Sequence, residues 1–232
     1  MRLSMRKSYG SSFAAVEWLA RTFMCLLAVT MFEGPAFAQS PSSGPIKLVV
    51  LGDSLSAGLG LPAADAFPAK LEKSLKNKGI NVTIGNAGVS GDTTSGGLDR
   101  LDWSVPEGTQ GVILELGAND ALRGTDPKVP RAALEEILKR LKARHIAVLL
   151  CGMVAPPNYG AEYAAHFNAI YPDLAKTYDV PLYPFFLEGV AADTKLNQAD
   201  GLHPTAEGVT VIIKNILPAV EAFLGTIREQ KS

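Results

Sequence analysis

Five short apolar runs, each followed by a stretch of different period, constrain this chain more than any other feature in it. Ile46-Lys47-Leu48-Val49-Val50-Leu51, stopped by Gly52, has the length and β-branching of a buried strand. Val82 to Ile84, Gly111 to Leu116, Ile146 to Leu150 and the weaker Pro181 to Tyr183 supply four more. Between them the period changes to that of helices. Phe67, Leu71 and Leu75 share one face, with Asp65 placed to cap that helix and Gly79 to end it. Leu134, Ile137, Leu138 and Leu141 recur at i, i+3, i+4 and i+7, which predicts an amphipathic helix over 131–144. Another is predicted over 161–178, interrupted in its middle by Pro172. Val209, Ile212, Ile213, Ile216, Leu217 and Val220 give a closing helix its apolar face.

Strands alternating with helices predict a parallel sheet covered on both sides. The expected fold is α/β: a flavodoxin-like three-layer α/β/α domain with a five-stranded parallel sheet in the order 2-1-3-4-5. At 232 residues the chain suits one such domain, expected over 46–226, with 227–232 as a tail. Ligands of such sheets bind outside the carboxyl ends of the strands, where the strand order reverses.

The first forty residues follow other rules. Arg2, Arg6, Lys7 and Arg21 precede the apolar run Phe23 to Phe32, and Ala36-Phe37-Ala38 follows it. That order is the order of a secretory signal peptide, expected over 1–38, with 39–45 as a short linker. The apolar run is too short to span a membrane, so no stable membrane insertion is expected after cleavage. Cleavage removes Cys25 and leaves Cys151 without a disulfide partner. The expected product is an exported, periplasmic or secreted, monomer. A net charge of −1 supplies no basic field for a phosphate backbone, so no nucleic-acid partner is expected.

The chemistry-bearing residues collect in the loops that leave the strands. Gly52-Asp53-Ser54-Leu55-Ser56 follows strand 1, Asn86 to Thr94 follows strand 2, and Gly117-Ala118-Asn119-Asp120 follows strand 3. Asp200-Gly201-Leu202-His203-Pro204 precedes the last helix. A serine hydroxyl attacks a carbonyl only when a base takes its proton. His203 can be that base for Ser54, and Asp200 can hold the other ring N–H. The oxyanion formed on attack needs donors, available from the backbone N–H groups of Ser54 and Gly91 and from the Asn119 amide. Gly91 suits the task because a missing Cβ permits close approach. Each loop alone also reads as an ordinary turn or helix cap. Their convergence in strand-end order favours the chemical reading. His145, His166 and Cys151 show no zinc spacing, Gly58-Leu59-Gly60 lacks the third glycine of a dinucleotide fingerprint, and no phosphate loop is present. Neither metal nor cofactor is expected.

Gly52-Asp53-Ser54-Leu55 with Gly91, Asn119 and Asp200-x-x-His203 resembles the GDSL, or SGNH, hydrolase family. Leu51 to Gly58, Ser90 to Thr93, Glu115 to Asp120, Pro157 to Gly160 and Pro184 to Phe186 are similar to its thioesterase I/lysophospholipase/arylesterase branch. The resemblance implies a serine esterase or thioesterase acting on small-molecule acyl or aryl esters. It implies Ser54 as nucleophile, Gly91 and Asn119 in the oxyanion hole, and Asp200 and His203 completing a triad. Leu122 and Val154-Ala155-Pro156, in loops at the same sheet edge, are the candidates to line an acyl groove. A carbohydrate deacetylase, and a non-catalytic exported module that binds lipid or glycan, are the alternatives.

Overall fold

The computed structural model describes residues 44–229. The expected leader 1–38, most of the linker and the last three residues of the tail lie outside these. Five strands, β1 (Ile46–Gly52), β2 (Val82–Gly88), β3 (Gly111–Glu115), β4 (Ala147–Cys151) and β5 (Leu182–Tyr183), form one sheet in the order β2-β1-β3-β4-β5. All four pairings are parallel, as the alternation predicts. β3 is buried along its whole length and β1 everywhere but Lys47, because helices cover both faces of the sheet centre. On one face lie α2 (Phe67–Asn77) and the closing helix α9 (Ala206–Glu229), in contact with each other. The other carries α3 (Thr94–Asp99), α6 (Lys128–Ala143) and α8 (Ile170–Tyr178). Short helices α1 (Ser54–Ala57), α4 (Leu101–Ser104), α5 (Ala118–Leu122) and α7 (Gly160–Asn168) fill the connections. α9 has the length and hydropathy of a membrane span, but Val209, Ile212, Ile213, Ile216, Val220, Phe223 and Leu224 bury its apolar side in the core.

Several expectations need correction. Asp65 does not cap α2; it closes a 3₁₀ turn at Ala63–Asp65 and pairs with Lys70 at 3.3 Å, while Ala66 takes the cap position and Pro68 opens the helix. β2 runs on to Gly88, since an edge strand half open to solvent tolerates Asn86 where a central one would not. The helix predicted over 161–178 is two, broken at Ala169. Pro172 thereby falls in the first turn of α8, where its missing N–H costs nothing. α9 continues to Glu229 with Ile227 buried, so the described part of the expected tail is helix.

Candidate active site

Ser54 is the first residue of α1, directly beyond the carboxyl end of β1. Asp53 makes the turn by capping the helix: its Oδ1 accepts the Leu55 N–H at 2.9 Å. Asn119 lies in α5, three residues beyond the Leu116 that follows β3, and its Nδ2 donates to Asp53 Oδ2 at 3.1 Å. One amide hydrogen is thereby used and the other left over. Gly91 sits in the turn after β2 at φ +82°, which is what demands glycine there. A Cβ on Gly91 would meet no protein atom within 4 Å, so it is the positive φ, and not a neighbouring protein group, that selects glycine there.

That turn is pinned from three sides. Buried Arg100 donates to Asp92 at 2.6 Å, to Gly52 O and Ala87 O at 2.8 Å each, and to Ser104 Oγ at 3.0 Å, joining the ends of β1 and β2 to the loop. Asp120 accepts from Thr94 N at 2.9 Å and Thr94 Oγ1 at 3.0 Å. Arg123 Nη2 donates to Gly91 O at 2.8 Å.

The Asp200–His203 segment comes from the far end of the sequence. Asp200 Oδ1 accepts the N–H groups of Leu202 (2.9 Å) and His203 (3.0 Å), and Oδ2 lies 2.6 Å from His203 Nδ1. Those backbone donors, with the imidazole, hold the Asp200 carboxyl down at about 2. It is therefore ionised and can only accept, so Nδ1 carries the proton facing it, and in the neutral imidazole Nε2 keeps the lone pair. Nε2 lies 2.9 Å from Ser54 Oγ. Gln198 ties this loop to the segment after Ser54, its Nε2 donating to Leu59 O at 2.8 Å and Pro204 O at 3.0 Å.

The sequence reading did not single out Asp53 or Glu115, two buried acids behind the serine. Desolvation raises the Asp53 carboxyl to about 6 and pushes Glu115 well above the usual carboxylate range. The signal was present: Glu115 is a lone charge within the apolar run Val112 to Leu116. Arg100 and Asp92 carried no such signal. His145 and His166 are exposed and make no contact with the Ser54–His203–Asp200 chain. A cavity of about 740 Å³ lined by His145, Val148, Tyr178 and Phe223 lies at the amino ends of β4 and β5, away from Ser54.

Of the groove candidates, Leu122 (44% exposed) and Val154 (47%) are open to solvent and Pro156 is half-buried. Ala155 is not a surface residue: it is 7% exposed and its N–H donates to Asn168 Oδ1 at 2.8 Å, which draws the loop under α7. Tyr159, on the same connection as Val154, and Leu59, Val89 and Leu202, on other loops, are further exposed apolar residues, and Tyr159 donates to Leu122 O at 2.8 Å.

A serine, an imidazole and a carboxylate in hydrogen-bonded series at a strand-order switch point define a serine hydrolase on a doubly wound sheet. The chain belongs to the GDSL-like lipase/acylhydrolase family, whose model matches residues 50–211. It is 37% identical to esterase TesA of Pseudomonas aeruginosa over 199 residues, 85% of this chain and 96% of that protein. With the Escherichia coli K12 thioesterase 1/protease 1/lysophospholipase L1 it shares 43% identity over 161 residues, 69% of this chain and 76% of that one. The crystal structure of AlinE4, an SGNH-hydrolase family esterase, superposes with a TM-score of 0.65 at 48% identity, covering 77% of this chain and 96% of that one.

Proposed function

We propose that this protein hydrolyses small-molecule acyl and aryl esters and thioesters through an acyl-enzyme on Ser54. The Ser54 Oγ–His203 Nε2 separation of 2.9 Å carries the reading. His203 Nε2 takes the hydroxyl proton as Oγ bonds to the carbonyl carbon. Negative charge then moves onto the carbonyl oxygen, facing the N–H groups of Ser54 and Gly91 and the spare Asn119 amide hydrogen. Gly91 N–H has no acceptor among the described residues and is free for that task. Collapse breaks the bond to the leaving oxygen or sulfur, which receives the proton from His203 Nε2. Water repeats the sequence in reverse and releases the acid. Asp200 holds the imidazole in the required tautomer throughout.

Relatives named esterase, arylesterase and thioesterase/lysophospholipase support the substrate range. The exposure of Leu122 and Val154 supports them as apolar residues that meet an acyl chain. One chain supplies nucleophile, base and donors, which supports action as a monomer. The leader 1–38 directs it out of the cytoplasm, and the domain begins at 46.

An organophosphonate ester should label the protein once, on Ser54, with mass spectrometry locating the adduct. Ser54→Ala should abolish both labelling and turnover of p-nitrophenyl butyrate with the circular dichroism spectrum unchanged. Labelling on Ser56 or Ser90, or full activity in Ser54→Ala, sinks the assignment.

A further inference from the structure

We propose that Glu115 is a positioning residue for Ser54 and Asn119, holding the turn beneath them as a neutral acid so that Asp53 carries the charge. The proposal rests on the hydrolase reading above. Glu115 ends β3, in register with Gly52 of β1 and Cys151 of β4, and its side chain is wholly buried. Gly52 makes room for it, since a Cβ there would fall 2.4 Å from Glu115 Oε2. Oε2 lies 2.5 Å from Ser56 Oγ and accepts a longer bond, 3.4 Å, from Asp53 N–H. The carboxyl thus grips both the residue before Ser54 and the second residue after it.

Its other oxygen, Oε1, has no partner among the described residues. Nor does a cation reach the group: Arg100, the guanidinium bonded to Gly52 O, spends its donors on Asp92, Ala87 O, Ser104 and that carbonyl. Asp53 is the charged group that acts on Glu115, and His203 and Asp92 act on Asp53, while Cys151 and Tyr171 face the pair and are raised by it. Two adjacent carboxyls in a dry pocket cannot both ionise, so one holds a proton. Asp53 accepts from two N–H donors, Leu55 N and Asn119 Nδ2, both of which favour its charged form. Glu115 has the Ser56 hydroxyl, one long N–H contact from Asp53 and the Ser56 backbone N–H, all toward one side, and an anionic Oε1 would be bare. The proton therefore resides on Glu115. Burial raises both acids, Glu115 well beyond the usual range, which agrees. Ionised Asp53 in turn fixes Asn119 so that its second amide hydrogen faces the developing oxyanion.

Glu115→Gln keeps shape and neutrality, whereas Glu115→Ala removes the grip. The measurements are kcat and KM on p-nitrophenyl butyrate at pH 7, Tm from pH 7 to 10, and the rate of phosphonate labelling. Glu115→Gln should keep kcat within about twofold, while Glu115→Ala should lose about tenfold to a hundredfold in kcat with KM within about twofold. A raised acid stabilises the fold below its ionisation and withdraws that stability as pH rises through it. The wild type should therefore lose more Tm than Glu115→Gln on going alkaline. Loss of kcat in Glu115→Gln at unchanged Tm, or wild-type kcat in Glu115→Ala, overturns the proposal. Should Glu115→Ala not fold, Glu115→Gln decides alone by the same criterion. If wild type neither turns over ester nor accepts phosphonate, it is the hydrolase reading that has failed.

Discussion

Asp200 and Asp53 show how neighbours set two aspartates to opposite ends of the carboxyl range. Backbone N–H groups of His203 and Leu202 hold Asp200 down at about 2, so it remains charged until pH falls through that value. Asp200→Asn should lower kcat/KM by about 10²- to 10⁴-fold, because the ring loses its fixed tautomer. Steady-state kinetics checks this, and a wild-type value would remove Asp200 from the mechanism. Asp53 is raised, chiefly by desolvation, from 3.8 to about 6. Stability linked to a raised acid is complete below its unfolded pKa and is lost as pH rises through the folded one. Asp53→Asn has nothing to ionise, so its Tm relative to wild type should climb between pH 4 and pH 7 while its kcat falls. A relative Tm that is flat or declining would refute the buried charge. Ser54, Asp200 and His203 were legible as residue types because each sits within two residues of glycine or proline in a loop beyond a strand. Asp53 was not, because an aspartate at a turn looks the same whether it is solvated or buried.

Among the elements, the central strands and long helices were legible because their periodicity extends over one or more turns of apolar residues. Boundaries were read less well where a tertiary contact, and not a local residue preference, sets them. β2 continues past Ile84 because β1 offers hydrogen-bond partners as far as Gly52. α9 continues past 226 because Ile227 reaches the core at Gly111. Ile227→Ala should therefore lower the free energy of unfolding by about 2–5 kcal/mol, measured by urea denaturation. A loss under about 0.5 kcal/mol would return those residues to the status of a tail. Ala155 belongs with these cases. Its neighbours in sequence suggested an open loop, and the Asn168 side chain, thirteen residues on, draws it inward.

At the scale of the whole molecule, the proposed chemistry needs a serine, a base and oriented N–H donors, all of which the described residues provide. EDTA should therefore leave kcat/KM unchanged, and chelator inhibition reversed by zinc would contradict the mechanism. If the leader is removed on export, the mature protein recovered outside the cytoplasm should begin at Gln39 by mass spectrometry. An intact Met1 or Met5 on active cytoplasmic protein would reverse that assignment. Much of this protein is dictated locally. Alternating periods specify strands and helices, parallel strands require crossovers, and crossovers place the loops with Ser54, Gly91 and Asn119 at one sheet edge. What sequence could not decide depends on distances between residues far apart in the chain. The 2.9 Å from Ser54 to His203, across 149 residues, is set by how the last loop docks through Gln198. The ionisation of Asp53 and Glu115 is set by exclusion of water, and water is excluded only once β1, β3 and α1 have closed around them.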